Sequence, residues 1–114
     1  MRPIIVTNSI IPRLVSWFFP VAAITLWPFI FIRKGFDTER LINHECIHIR
    51  QYNECLVLGF IVIYLWDWFV GLVKYRDPKK AYLQIRMEQE ARAWDTDSSY
   101  LDSRQRFAWS VFKV

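Results

Sequence analysis

Histidine and cysteine are both scarce: the 114-residue chain holds two of each. Cys46 and Cys55 would fall on opposite faces if one helix carried both, so they cannot bridge. They read as free thiols, which fits a reducing or intramembrane setting. With only His44 and His48 available, any metal site built from three histidines is excluded. No internal repeat, low-complexity run or flexible linker interrupts the chain. That leaves residues 1–114 as one small domain with a single core. The N-terminal "MRPIIVTNSIIPR" lacks an apolar stretch of the right length near its charge, so a cleaved signal peptide is not expected. Acidic residues are spread among the basic ones, and no basic stripe alternates with aromatics. A nucleic-acid partner is therefore not expected.

What the chain has in quantity is apolar surface. Hydrophobic residues make up 54% and aromatics 18%, with six tryptophans. That points to a dense core, a membrane-facing surface, or both. The net charge is +4, with a cluster at "KYRDPKK" (Lys74–Lys80). Beside an apolar run, such a cluster fits an anionic membrane surface, and a solvated face is an equally good reading.

The pattern predicts strands first and helices after. "PIIVT" (3–7) is short, β-branched and apolar, hence a strand. Residues 21–33 read as two short strands or one bent edge strand, because Pro20 and Pro28 interrupt any helix. "RKGFD" (33–37) is a turn. Asp37 is a good N-cap and Glu39 suits a first helical turn, so a helix is predicted from about Thr38 to about Glu54. Residues 55–73 are apolar on all sides and read as a helix bending near Gly59. Asp77 and Pro78 form a cap and first helical position, opening a polar helix that is predicted to reach Asp95. Ser98 and Ser99 mark a break, with a shorter amphipathic helix expected from Asp102 to the C-terminus. The expected class is α+β, mostly helical.

The two histidines frame the one motif with chemical content, His44-Glu45-x-x-His48. Chance alone gives this arrangement in roughly one such chain in a thousand, which sets it above an ordinary short-motif match. Residues four apart on a helix share a face. His44 and His48 could thus turn two imidazole nitrogens to one ion at the ~2.0–2.1 Å that zinc prefers. Glu45 lies about 100° further round, beside the metal, where a general base takes a proton from a bound water. Gln51 shares the metal face and could orient a ligand or line the cleft.

A catalytic zinc needs a third protein ligand and one open position. A distant carboxylate must serve, and "RMEQEARAWDTD" (86–97) offers Glu88 and Glu90. These lie about 200° apart on a helix, so only one can face the metal. The stripe Leu83, Met87, Ala91, Trp94 marks the buried side and favours Glu90.

"HECIH", followed about 40 residues later by "EQEARAW", resembles the gluzincin type of zinc metallopeptidase. The wider "RLINHECIHIRQ … AYLQIRMEQEARAW" is also similar to small uncharacterised bacterial zincin-like proteins. The likeness covers roughly Ile24 to Asp97 and rests mainly on the two short motifs. It implies a minimal zincin-like domain, with His44, His48 and Glu88 as zinc ligands and Glu45 as general base; Glu90 stays as the alternate ligand. Ala91, three residues after Glu88, would let two helices approach closely. In many gluzincins an aspartate follows the glutamate ligand by four residues and supports a histidine. Here that position is Arg92, which leaves Glu90 or Asp95 with roles to fill. The resemblance also implies a peptide substrate paired with a strand ahead of the metal helix, here "AITLWPFIFIR". Tyr75, Tyr82, Tyr100 and Arg92 are candidates to stabilise the charge that develops on the attacked carbonyl.

The 55–73 run is near the length of a bilayer span. Asp67 opposes insertion by up to about 3 kcal/mol, which the surrounding Leu, Ile, Val and Phe could offset. A simple span would, however, leave the histidines and Glu88 on opposite sides, ~30 Å apart. The expectation is therefore a compact domain. The run would be its central core helix, or would lie in the interface with Trp66 and Trp68 at headgroup depth. The expected setting is cytoplasmic or associated with the inner membrane. Taken together, the chain reads as a zinc-dependent metallopeptidase acting on a peptide or protein. Two alternatives stand beside it. One is a zincin-like binding module without turnover, and the other a small membrane protein without metal.

Overall fold

The structure, a computed structural model, describes residues 3–15, 22–36 and 38–114. The class is α+β and mostly helical. The order is β1 (Ile4–Val6), α1 (Ile11–Val15), β2 (Ala23–Leu26), β3 (Phe29–Ile32), α2 (Glu39–Glu54), α3 (Leu58–Tyr75), α4 (Pro78–Gln84), α5 (Arg86–Trp94) and α6 (Tyr100–Ser103), with a final 3-10 turn at Ala108–Val111.

The β-branched residues of 23–32 make a hairpin, not one bent strand. Leu26 pairs with Phe29 across a two-residue turn at Trp27-Pro28, and the strands run antiparallel to the Ala23–Ile32 pair. β1 joins the other side of β3 in parallel, giving the order β1-β3-β2. β2 is therefore an edge strand. Alternate residues of an antiparallel pair turn their amides to the partner. Arg33 N–H donates to Ala22 O (2.9 Å), and Tyr52 OH donates to Thr25 O (2.8 Å) from the far side. This phase turns the main chain of Ala23 and Thr25 away from β3. Alternation likewise puts Ala23, Ile30 and Ile32 on the inner face, buried against Ile49 with Leu41, Ile42 and Cys46 of α2 around them. Full burial of an isoleucine side chain is worth about 1.5–3 kcal/mol.

Thr38 caps α2: its side chain accepts from Leu41 N–H at 3.2 Å. Asp37, the expected cap, lies outside the described residues, as do Pro20 and Val21. α2 ends at Glu54, and Leu56 and Val57 both take positive φ. The bend expected near Gly59 is thus a full break two residues earlier, and α3 starts afresh at Leu58.

The polar helix expected over 78–95 is two helices. Asp77 caps α4 through Lys79 N–H (3.0 Å), with Pro78 at the first turn. Ile85 is then extended (φ −58°, ψ 128°) and α5 begins. A buried carboxylate from α3 makes the break possible. Asp67 accepts from the Arg86 main-chain N–H (3.2 Å) and from its guanidinium (2.9 Å twice). It thus acts as a cap supplied from across the fold. The C-terminal helix expected from Asp102 does not form. Arg104 is extended, Phe107 adopts a left-handed conformation, and only a 3-10 turn follows. Burial of the Arg104 head between α2 and α5 pulls the chain out of helical register.

α3 is not the wrapped core helix expected of 55–73. Phe60, Asp67 and Gly71 are buried on one side, while Leu58, Val62, Leu65, Trp66, Phe69 and Val73 are exposed on the other. Cys46 and Cys55 are both free thiols.

Candidate metal centre

α2 presents His44, Glu45 and His48 from successive turns, and all three are buried. Each offers a ligand atom within 4.8 Å of the others. α5 comes in from the opposite side with Glu88. Its Oε1 lies 3.2 Å from His44 Nε2 and its Oε2 lies 2.9 Å from His48 Nε2. Glu45 is more distant, its Oε2 3.8 Å from His48 Nε2. The structure therefore brings His44, His48 and Glu88 together at one point, with Glu45 beside them.

Glu90, the alternate ligand, is not brought there. It faces the other side of α5, where Arg104 Nε donates to Oε2 (2.6 Å), Arg104 Nη2 to Oε1 (2.9 Å) and Tyr100 OH to Oε2 (2.7 Å). The apolar stripe misled because both faces of α5 are covered. Leu83 belongs to a different helix, and Trp94 is exposed.

Both imidazoles are oriented through their outer nitrogens. His44 Nδ1 meets Asp95 Oδ2 at 3.0 Å, and His48 Nδ1 meets Gln51 Oε1 at 2.7 Å. The Gln51 amide cannot be turned round, because its Nε2 donates to Met87 O (3.0 Å) and Glu90 Oε1 (2.9 Å), both pure acceptors. Its Oε1 must face His48, so Nδ1 carries the hydrogen and Nε2 of the neutral ring keeps its lone pair. Arg104, which also grips Glu54 at 2.8 and 2.9 Å, holds Glu90 in place. Glu90 thus reaches His48 only through Gln51, two groups away from the point where the imidazoles and Glu88 meet.

The donor set fits zinc. Two imidazoles and one carboxylate match its preferred N/O ligands and leave a fourth position for solvent or substrate. The outer nitrogens carry the oxygen partners usual for metal-ligating histidines. His48 Nε2 is buried and, despite its closeness to Glu88, lacks an aligned hydrogen bond.

The electrostatics follow from burial and pairing. Burial disfavours a charged His48, but Glu88 and then Glu45 outweigh it and lift the ring to about 9. His44 is raised in the same way, chiefly by Glu88 against burial. Burial pushes Glu88 up, yet the two histidines hold it well below the ordinary carboxylate value. Burial dominates at Glu45 and raises it. Thr25, on the inner face of β2, donates to Glu45 Oε2 at 3.1 Å.

Two cavities flank the four residues. One, of ≈ 210 Å³, lies between β2 and α3. Its walls include Ala23, Ile24, Leu26, Phe60, Ile61 and Leu65, with Glu45, His48 and Glu88 at its floor. The other, of ≈ 360 Å³, lies on the His44 side and reaches Arg40, Tyr82, Arg92 and Asp95. Of the residues weighed for carbonyl stabilisation, Tyr82 lines both cavities and Arg92 the second, its guanidinium 5.2 Å from the Tyr82 ring centre. Tyr100 serves Glu90, and Tyr75 stacks under Lys74 and Lys80.

Sequence reasoning passed over Tyr64 and Arg104. Tyr64 OH donates to Glu88 Oε2 at 2.8 Å, as Tyr82 OH does to Oε1 at 3.2 Å. The signal was present: Tyr64 and Asp67 are a hydroxyl and a carboxylate one turn apart in an otherwise apolar run. Asp95 takes the histidine-supporting role that position 92 lacks, one helical turn further along.

No family model, curated protein or solved structure matches this chain.

Proposed function

We propose that the chain is a zinc-dependent peptide hydrolase of the gluzincin kind. The observation that carries this is the convergence of Glu88 on both imidazoles from a separate helix, at 3.2 and 2.9 Å, with Glu45 alongside. His44, His48 and Glu88 would hold the ion. When bound, zinc polarises a carbonyl oxygen and brings the pKa of a coordinated water to about 7.

The chain's own residues supply the rest. Glu45, whose carboxyl is raised by burial, accepts the proton of the attacking water and passes it to the leaving nitrogen. Thr25 fixes which Glu45 oxygen turns to the site. The outward main chain of β2 at Ala23, and the N–H of Thr25 whose carbonyl is held by Tyr52, would pair with an extended peptide. The apolar cavity beside Glu45 takes a hydrophobic side chain of that peptide. Tyr82 lines both cavities, and its hydroxyl would donate to the carbonyl oxygen as it gains charge by giving up its bond to Glu88 Oε1.

The test begins with zinc per purified chain, measured by mass spectrometry for the wild type, His44→Ala and Glu88→Ala. One equivalent in the wild type and little in either variant is expected; equal occupancy in all three removes the proposal. Peptide-library cleavage then compares the wild type with Glu45→Gln. Zinc should stay and cleavage should fall at least about a hundredfold. Bound zinc with no cleavage by the wild type would instead mark a binding module.

A further inference from the structure

α3 carries a second surface that the catalytic reading leaves unused. Leu58, Ile61, Val62, Leu65, Trp66, Phe69 and Val73 recur every three or four residues, so they form one stripe down the helix. All are exposed, Leu58 by 74% and Val62 by 66%. The opposite side of α3 is the packed one, where Phe60, Asp67 and Gly71 are buried. The helix has no polar residue on its outer side between Leu58 and Val73, since Asp67 turns inward to Arg86. A continuous apolar stripe from Leu58 to Val73 on an 18-residue helix marks an interaction surface.

We propose that this stripe seats the protein on an anionic bilayer, with α3 lying in the plane of the interface. Charge argues for lipid. Arg76, Lys79 and Lys80 are exposed where the stripe ends and α4 begins. There they would meet anionic headgroups, while Trp66 sits at their depth. A second copy of the chain is less well matched. Laid parallel, it sets these cations against their own kind. Laid antiparallel, it sets them near Glu54, which Arg104 already binds with two hydrogen bonds. A spanning arrangement conflicts with the inner face of α3, which holds the Asp67–Arg86 pair and the Tyr64 bond to Glu88. Crossing the bilayer would carry both into hydrocarbon.

The seat and the metal centre share a boundary. Ile61 and Leu65 belong to the stripe and also wall the ≈ 210 Å³ cavity. The cavity rim therefore opens at the lipid surface, and what enters it comes from there: an apolar segment lying at the membrane. This last point rests on the hydrolytic reading, whereas the seat itself does not.

The test is sedimentation of the full chain with vesicles, zinc-loaded and chelator-treated alike. One set contains phosphatidylcholine with a quarter phosphatidylglycerol, and the other phosphatidylcholine alone. The wild type is expected to bind the anionic vesicles in both metal states, so a failed zinc site leaves this result unaffected. Val62→Glu with Trp66→Glu should lose at least tenfold in partitioning. Lys79→Ala and Lys80→Ala should each lose about fivefold, on the anionic vesicles only. Brominated lipid should quench the wild-type tryptophan emission, and Trp66→Phe should lower that quenching while still binding, which needs no disruptive substitution. Absence of wild-type binding to anionic vesicles overturns the proposal. So does a lipid-free dimer that the Val62/Trp66 variant dissociates while the wild type ignores vesicles.

Discussion

His44 Nδ1 lies 3.0 Å from Asp95 Oδ2, and the same ring's Nε2 lies 3.2 Å from Glu88. One imidazole is thus held at both ends by acids that enter from α5 and its C-cap. Asp95 is buried and receives Arg40 as well, at 3.0 Å. Asp95→Ala is expected to lower zinc affinity about 10–100-fold while leaving the fold intact, because the ring loses its orienting partner. Competition against a chromogenic chelator reads this directly. Unchanged affinity would mean that packing alone sets the ring.

Thr25 reaches Glu45 from a neighbouring strand, and it touches no ligand. Thr25→Val keeps the shape and removes the hydroxyl. The expected result is a several-fold loss in kcat at constant KM and constant zinc content, because only the aim of the base changes. A loss confined to KM would place Thr25 in substrate binding instead.

Gly71 of α3 lies tight against Ala81 of α4. A Cβ built there would lie 2.9 Å from both the backbone Cα and the short side-chain Cβ of Ala81, neither of which can step aside. Gly71→Val should destabilise the protein by about 1–3 kcal/mol through overpacking. A urea titration of the variant measures it. No change would show that the two helices separate freely.

Glu90 ties stability to pH. Burial alone would raise its carboxyl, but the bonds from Arg104, Gln51 and Tyr100 outweigh burial and lower it. A carboxyl lowered on folding adds stability above its unfolded pKa, and that contribution fades as pH falls through the folded value. Glu90→Gln leaves Arg104 buried with Glu54 alone and should cost about 3 kcal/mol at pH 7. The gap from wild type should narrow below about pH 4. Urea midpoints at pH 7 and pH 3 decide it: an equal gap at both would show that the charge of Glu90 is not what matters.

Much of this architecture is legible in the order of the residues. The four-residue spacing places both imidazoles on one face, and capping residues mark the starts of α2 and α4 within a residue. What is not legible comes from contacts between distant segments. Nothing local ends a helix at Ile85; the break depends on Asp67 accepting from the main chain of Arg86, 19 positions further on. The choice between Glu88 and Glu90 cannot be made from the apolar stripe, because a single buried arginine covers the second face of α5. The resemblance to gluzincins names Glu88, which the stripe does not. Arg104 itself sits in a tail that reads as an ordinary amphipathic helix, and its partners Glu54 and Glu90 are separated from it by 50 and 14 positions.

The inner side of α3 supplies the last consequence. Tyr64 holds Glu88, and Asp67 one turn later holds Arg86 at the start of the same helix. The rod that carries the greasy outer stripe is therefore bolted at two points to the segment bearing Glu88. Any rolling of that rod, from whatever presses on its outside, is delivered as a displacement of the Glu88 carboxylate relative to the imidazoles, with no loop between them to absorb it.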